Sequence, residues 1–141
     1  MLAYMEHLGK IRVGMEKAHV HRTQIRRRMN QIEREGMYPA VPREQWQARN
    51  GGEARYLYML FRMNPDGSYQ GPDGKRKVYV GADPRKQAEA RRLAANRRRW
   101  EELNTVLQNL NAWLTRLTRE LAEMATWIDH YPKVLGGEVS E

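Results

Sequence analysis

From Leu93 to Ile128 the apolar residues return every three or four positions, through Trp100, Leu103, Leu107, Leu110, Leu114, Leu117, Leu121 and Met124. Such a series stays on one side of the chain only in a continuous helix, and its spacing is that of a seam facing a second helix. A second series opens the chain at Met1, Tyr4, Leu8, Ile11, Met15 and Ala18. It continues through Ile25, Met29 and Ile32, and Arg22 interrupts it. Two long helices are therefore predicted, over residues 1–35 and 83–131. Gly36 caps the first in a left-handed conformation. Asp83 and Pro84 supply the cap and first-turn proline of the second, which Tyr131-Pro132 ends. At 1.5 Å per residue the second helix spans roughly 70 Å. Asn96 takes the seam position between Leu93 and Trp100, where a polar residue sets register at some cost in stability.

The segment between the helices has a different grammar. Residues 36–54 read as a connector, because Met37-Tyr38-Pro39-Ala40-Val41-Pro42 cannot extend a helix. Pro42 is expected to open a short helical turn through Trp46, stopped by Asn50-Gly51-Gly52. Over residues 55–82 the aromatic-rich RYLYMLFRM suits a strand and KRKVYVG a returning one. Between them lie two Pro-Asp-Gly turns, in which proline presets one torsion and glycine accepts a positive one. A β-hairpin follows, or a three-stranded sheet if Tyr69 occupies a short middle strand. The predicted fold is mainly α: a long antiparallel helical hairpin, a coiled coil, with this small sheet inserted between its helices. The tail at 132–141, ending GGEVSE, is expected to be disordered.

With Trp100, Leu107 and Leu114 at heptad position a, residues Val106, Trp113 and Trp127 fall at g. The second half of this helix is then too broadly apolar for one partner. A homodimer is expected, with Trp100, Leu107, Trp113, Leu114, Leu121 and Trp127 at its interface. The alternative is a monomer with the Trp46 segment folded into the gap.

The side-chain inventory points to binding and away from catalysis. With no cysteine there is no disulfide framework, thiolate zinc site or thiol nucleophile. Serine occurs only at Ser68 and Ser140, neither with a histidine nearby in sequence. On a helix His19 and His21 diverge by roughly 200°, and His7 and His21 lie about four turns apart, so no metal is expected. The sequence holds no glycine-rich phosphate loop, paired-carboxylate motif or dinucleotide fingerprint, and no cofactor is expected. No stretch approaches the roughly 20 apolar residues that span a bilayer, and MLAYMEHLGKIRVGMEKAH is too charged for a signal-peptide core. The sequence reads as cytoplasmic, without a membrane partner.

Charge carries the functional argument. The chain has a net charge of +8, and it is uneven: residues 1–99 hold 22 Lys/Arg against 10 Asp/Glu, residues 100–141 hold 3 against 7. Arg85, Lys86, Arg91, Arg92, Arg97, Arg98 and Arg99 crowd fifteen residues whose one acid is Glu89. Arg85, Arg92 and Arg99 share position g, and Arg91 and Arg98 share f, which makes a stripe able to follow phosphates. Arg22, Arg26, Arg27 and Arg28 form a second cluster. Antiparallel pairing is expected to bring both clusters to the sheet, beside Lys75, Arg76 and Lys77. Nucleic acid is the expected partner, DNA ahead of RNA and duplex ahead of single strand, with an acidic protein surface as the alternative. Tyr56, Tyr58, Phe61, Tyr69 and Tyr79 read first as aromatics packing the sheet on the helices, and second as stacking platforms for bases.

Residues 55–93, RYLYMLFRMNPDGSYQGPDGKRKVYVGADPRKQAEARRL, are similar to the small arm-type DNA-binding domain of tyrosine recombinases. The likeness lies in the aromatic first strand, the turn into Gly74-Lys75-Arg76-Lys77, the strand ending at Gly81 and the helix carrying Gln87-Ala88-Glu89-Ala90. It implies three antiparallel strands in a major groove with a helix behind them, and groove or phosphate contacts from Arg62, Lys75, Arg76 and Lys77. The second helix here runs well past the family's, and these residues include no catalytic recombinase domain. A hairpin between coiled-coil segments also resembles short uncharacterised proteins of bacterial mobile elements.

Overall fold

A computed structural model describes residues 2–49 and 52–134. The expected break at Asn50-Gly51 and the tail GGEVSE lie outside them. The elements are α1 (Leu2–Glu35), β1 (Ala40–Arg49), β2 (Gly52–Phe61), a 3-10 turn (Pro72–Gly74), β3 (Lys77–Gly81) and α2 (Pro84–Val134). The chain is mainly α, with a three-stranded antiparallel sheet inserted between two long helices. Both predicted helix signals act as read. Gly36 takes φ 95°, and its N–H donates to the Ile32 carbonyl at 3.0 Å. Asp83 Oδ1 accepts the Arg85 N–H at 2.9 Å.

Two expectations are corrected. Residues 40–49 form neither a connector nor a Trp46 helix; they form β1, paired with β2 from Ala40 opposite Phe61 to Arg49 opposite Gly52. Pairing along ten residues outweighs the local preference of Glu44-Gln45-Trp46-Gln47. The sheet order β1-β2-β3 puts β1 at an edge, where Pro42's missing N–H is tolerated. Tyr69 makes only an isolated bridge to Met63, so the third strand precedes the β2–β3 hairpin instead of lying within it. The second correction concerns α2, which passes Tyr131-Pro132 and ends at Val134. A final turn that gives up one backbone hydrogen bond can hold a proline. The two Pro-Asp-Gly turns form as expected, with Gly67 at φ 90° and Gly74 at φ 72°.

The chain divides into two compact units. The helical unit joins α1 up to Gln24 with α2 from Thr105 onward. In it Ala18 and Leu114 are buried, Arg22 donates to Asn111 Oδ1 at 3.3 Å, and a methyl group on Gly14 would lie 3.8 Å from the Trp113 indole. Leu107, Leu110, Leu117 and Leu121 along the seam are half-buried. Val106 and Trp127 are exposed, Trp127 by 64%.

The sheet unit spans Ile25–Asn104. Here α1 and α2 are antiparallel, because Gly36 lies beside Leu93 and Asn96 while Glu33 lies beside Trp100. Asn96, the polar seam residue, donates to the Gly36 carbonyl at 2.9 Å and so satisfies the end of α1. Alternate residues of β2 (Leu57, Met59 and Phe61) form the core with Ala90 and Ala94 of α2. Two alanines four residues apart let the helix backbone come close to the sheet. Ala40, Val78 and Val80 close the rim of this core.

Candidate nucleic-acid interface

The net charge belongs to one unit. The sheet unit contains 18 Lys/Arg and 10 Asp/Glu, the helical unit 7 of each. Of the basic residues singled out in the sequence, all but Arg22 of the second cluster fall in the sheet unit.

The arginine stripe of α2 is largely consumed within the fold. Arg91 pairs with Glu44 of β1, which also holds Arg55 at 3.3 Å. Arg92 pairs with Glu89 at 2.7 Å and Arg99 with Glu102 at 3.4 Å. Arg97 reaches Glu101 at 3.1 Å, and Arg62 grips both oxygens of that carboxylate, Oε2 at 2.7 Å. The stripe is thus not uniformly unpaired: Glu44, remote in sequence, and Glu89, Glu101 and Glu102, within one turn on α2 itself, neutralise much of it. Glu44 and Glu101 each join an arginine of the sheet region to one of α2, so they strap the sheet to its helix.

Burial works against the ionised Glu101 carboxyl, but the hydrogen bonds and charges of Arg62 and Arg97 outweigh it and hold the group below its ordinary range. A depressed folded value means that the strap stabilises fully above the unfolded value and fades as pH falls through the folded one. Glu101→Gln is expected to cost about 1 kcal/mol at neutral pH. The deficit should shrink below about pH 4.3, where the carboxyl of the unfolded chain takes up a proton while the folded one still holds its charge. Urea titrations of both proteins near neutral and near pH 3 test this, and a deficit that does not change with pH refutes it.

The second cluster lies on α1, all but Arg22 of it within the sheet unit. Arg26, Arg27 and Arg28 are exposed, and Arg28 donates to the Gln31 amide oxygen at 2.9 Å. Arg28 lies eight residues before the cap at Gly36, roughly 12 Å along the helix axis. Arg98 is likewise exposed on α2.

At the sheet itself the cations are available. Among the described residues no carboxylate pairs with Lys75, Arg76, Lys77, Arg85 or Lys86. The same holds for Arg43 of β1, which the sequence reading missed. Its segment lacks clear alternation, and only the pairing of β1 with β2 reveals its place. On the face of the sheet turned away from α2, cross-strand register lines up Arg43, Tyr58 and Tyr79 in one row, and Val41, Leu60 and Lys77 in the next. The Tyr79 ring centroid lies 5.8 Å from Tyr56 in a stacked arrangement and 5.2 Å from Tyr58 in a tilted one. The Lys77 ammonium lies 3.9 Å from the Tyr58 ring centroid, and Arg76 lies 5.9 Å from that of Tyr69. The aromatics divide accordingly: Phe61 and Tyr56 are buried, while Tyr79 is 54% exposed.

The residues singled out for an oligomer interface scatter. Leu114 is buried within its own unit, Trp127 is exposed, and Leu107, Trp113 and Leu121 are half-buried. Trp100 is committed inside the sheet unit, donating to Glu33 Oε1 at 3.1 Å with the Arg97 guanidinium 4.8 Å from its ring centroid. Among the described residues no helix is long and apolar enough to cross a membrane. No family model matches the chain, and no curated protein or solved structure is similar to it.

Proposed function

We propose that this chain is a non-enzymatic nucleic-acid-binding protein that takes hold of phosphates with the sheet end of its basic unit. The observation that carries the reading is the set of cations around the sheet (Arg43, Lys75, Arg76 and Lys77) that have no carboxylate partner among the described residues. Most neighbouring arginines of α2 are held by Glu44, Glu89, Glu101 and Glu102. Each phosphate neutralised releases condensed counterions, so the binding must weaken with salt.

Lys75→Ala/Arg76→Ala/Lys77→Ala is expected to weaken binding to a labelled oligonucleotide at least tenfold at low salt. It should also flatten the plot of log affinity against log salt by about 2–3 units. Arg97→Ala/Arg99→Ala, which removes arginines already paired, should change the slope by less than one unit. Absence of binding at low salt, or an unchanged slope in the triple variant, rules the reading out.

A second reading is favoured by the exposed Val106 and Trp127 of the helical unit. That edge fits a protein contact, either a second copy of this chain or a component of a nucleic-acid-processing complex.

A further inference from the structure

The open face of the sheet carries more than charge, and we infer that it binds unpaired bases, so that the preferred partner is a single strand. The inference rests on the nucleic-acid reading above and narrows it.

Of the sheet's two faces, α2 covers one, through Leu57, Met59 and Phe61. On the other, Tyr79 is 54% exposed; Arg43, two strands across the row, and Lys77, two residues back along β3, are exposed on the same face. Tyr79 is not a loose surface ring. Its contacts with Tyr56 and Tyr58 fix its plane, and Tyr56 is buried to 3% exposure. A ring already held in place loses little freedom when a base stacks on it, so most of the contact energy is retained as affinity. With strands about 4.8 Å apart, the Arg43 and Tyr79 backbones are separated by roughly 10 Å across the row. Lys77, two residues before Tyr79 on the same strand, lies on the same face. The face therefore offers an aromatic ring with two cations within roughly 10 Å, one across the sheet and one along its strand, which suits a base and its neighbouring phosphates.

Other anionic partners match this face less well. In a duplex each base is covered on both sides by its neighbours, and the grooves present only base edges. Tyr79 would then have no flat surface to meet. An acidic peptide would satisfy Arg43 and Lys77 but would likewise leave the ring without a partner. Only an unpaired strand uses both the charge and the ring. The sequence alone favours duplex; the exposed ring sharing a face with two cations argues for single strand.

The test measures binding of the full chain by anisotropy to four probes at fixed moderate salt: oligo(dT), oligo(rU), a duplex of the same length and poly-glutamate. A length of about 12 nucleotides falls within the span of one small single-strand-binding fold. The single strands are expected to bind at least tenfold tighter than the duplex. Tyr79→Ala should weaken single-strand binding by roughly ten- to a hundredfold and leave the duplex unaffected. Tyr79→Phe, which keeps the ring, should bind as the parent does, and this separates lost stacking from a lost fold. Either sugar supports the inference, and the tighter of the two identifies the natural strand. Duplex binding equal to or tighter than single-strand binding overturns it while leaving the nucleic-acid reading in place. So does equal weakening of both by Tyr79→Ala, or a Tyr79→Phe variant as weak as Tyr79→Ala. Poly-glutamate binding as tight as oligo(dT) overturns it as well. Failure of every nucleic-acid probe removes the broader reading.

Discussion

Leu57→Ala is expected to destabilise the protein by about 2–5 kcal/mol, the range for emptying a fully buried leucine site. Leu57 is 0% exposed and lies at the centre of β2, against Ala90 and Ala94. Alanines have no reach, so neither can swing into the space that the leucine leaves. The void therefore persists, which places the cost toward the upper part of the range. A unit of this size is stable by only about 5–10 kcal/mol, so one such change removes a large share of the total. Urea unfolding, together with hydrogen exchange at the amides of β2 and β3, measures the loss. Leu60→Ala, on the opposite and half-buried face, should cost clearly less. A Leu57→Ala deficit under 1 kcal/mol would show that this packing does not hold the sheet to its helix.

Gly71→Ala is the second large effect, and it arises from crowding. Gly71 has an ordinary φ of −80°, so alanine suits its backbone torsions. A Cβ there, however, would collide with the Lys75 carbonyl oxygen and come within 3.0 Å of the Phe61 ring. The turn between residues 71 and 75 must open or Phe61 must move, at a cost of about 1–3 kcal/mol. Because Lys75, Arg76 and Lys77 leave this turn, the same substitution should weaken nucleic-acid binding beyond what the stability loss explains. Affinity measured well below the melting temperature, where the variant is folded, separates the two effects. Parent-like stability and affinity together would mean that the turn yields freely.

Much of the helical frame was legible because a 3.6-residue period survives any context. The Leu93–Ile128 seam, the Gly36 cap and the Asp83 cap are all local signals. β1 was hidden for the opposite reason. Pro-Arg-Glu-Gln-Trp-Gln has no clean alternation of apolar and polar residues, and its state depends on pairing with β2, whose partner residues lie 7 to 17 positions further along the chain. Asn50-Gly51 between two extended segments is a hairpin signal, yet beside Trp46 it reads equally well as a helix stop. The charge argument met a similar limit. Counting acids among residues 85–99 finds only Glu89, whereas the carboxylates that engage Arg91 and Arg62 are 47 and 39 residues away along the chain. Whether a cation is paired depends on helix neighbours and on tertiary partners alike, so the sequence located the basic unit without showing which of its arginines are paired. Arg43 entered the candidate site only through its row with Tyr58 and Tyr79.

Pro42 sits well inside β1, on the rim of the sheet. Any further strand, from a neighbouring copy or from a partly unfolded chain, would need a continuous ladder of amide donors along that rim. A proline leaves a gap in the ladder that no rearrangement of the incoming strand can fill. The charged neighbours Arg43 and Glu44 make a dry seam there costlier still. Growth of the sheet past β1 is thus opposed, and the aromatic face can meet water without that rim recruiting a further strand.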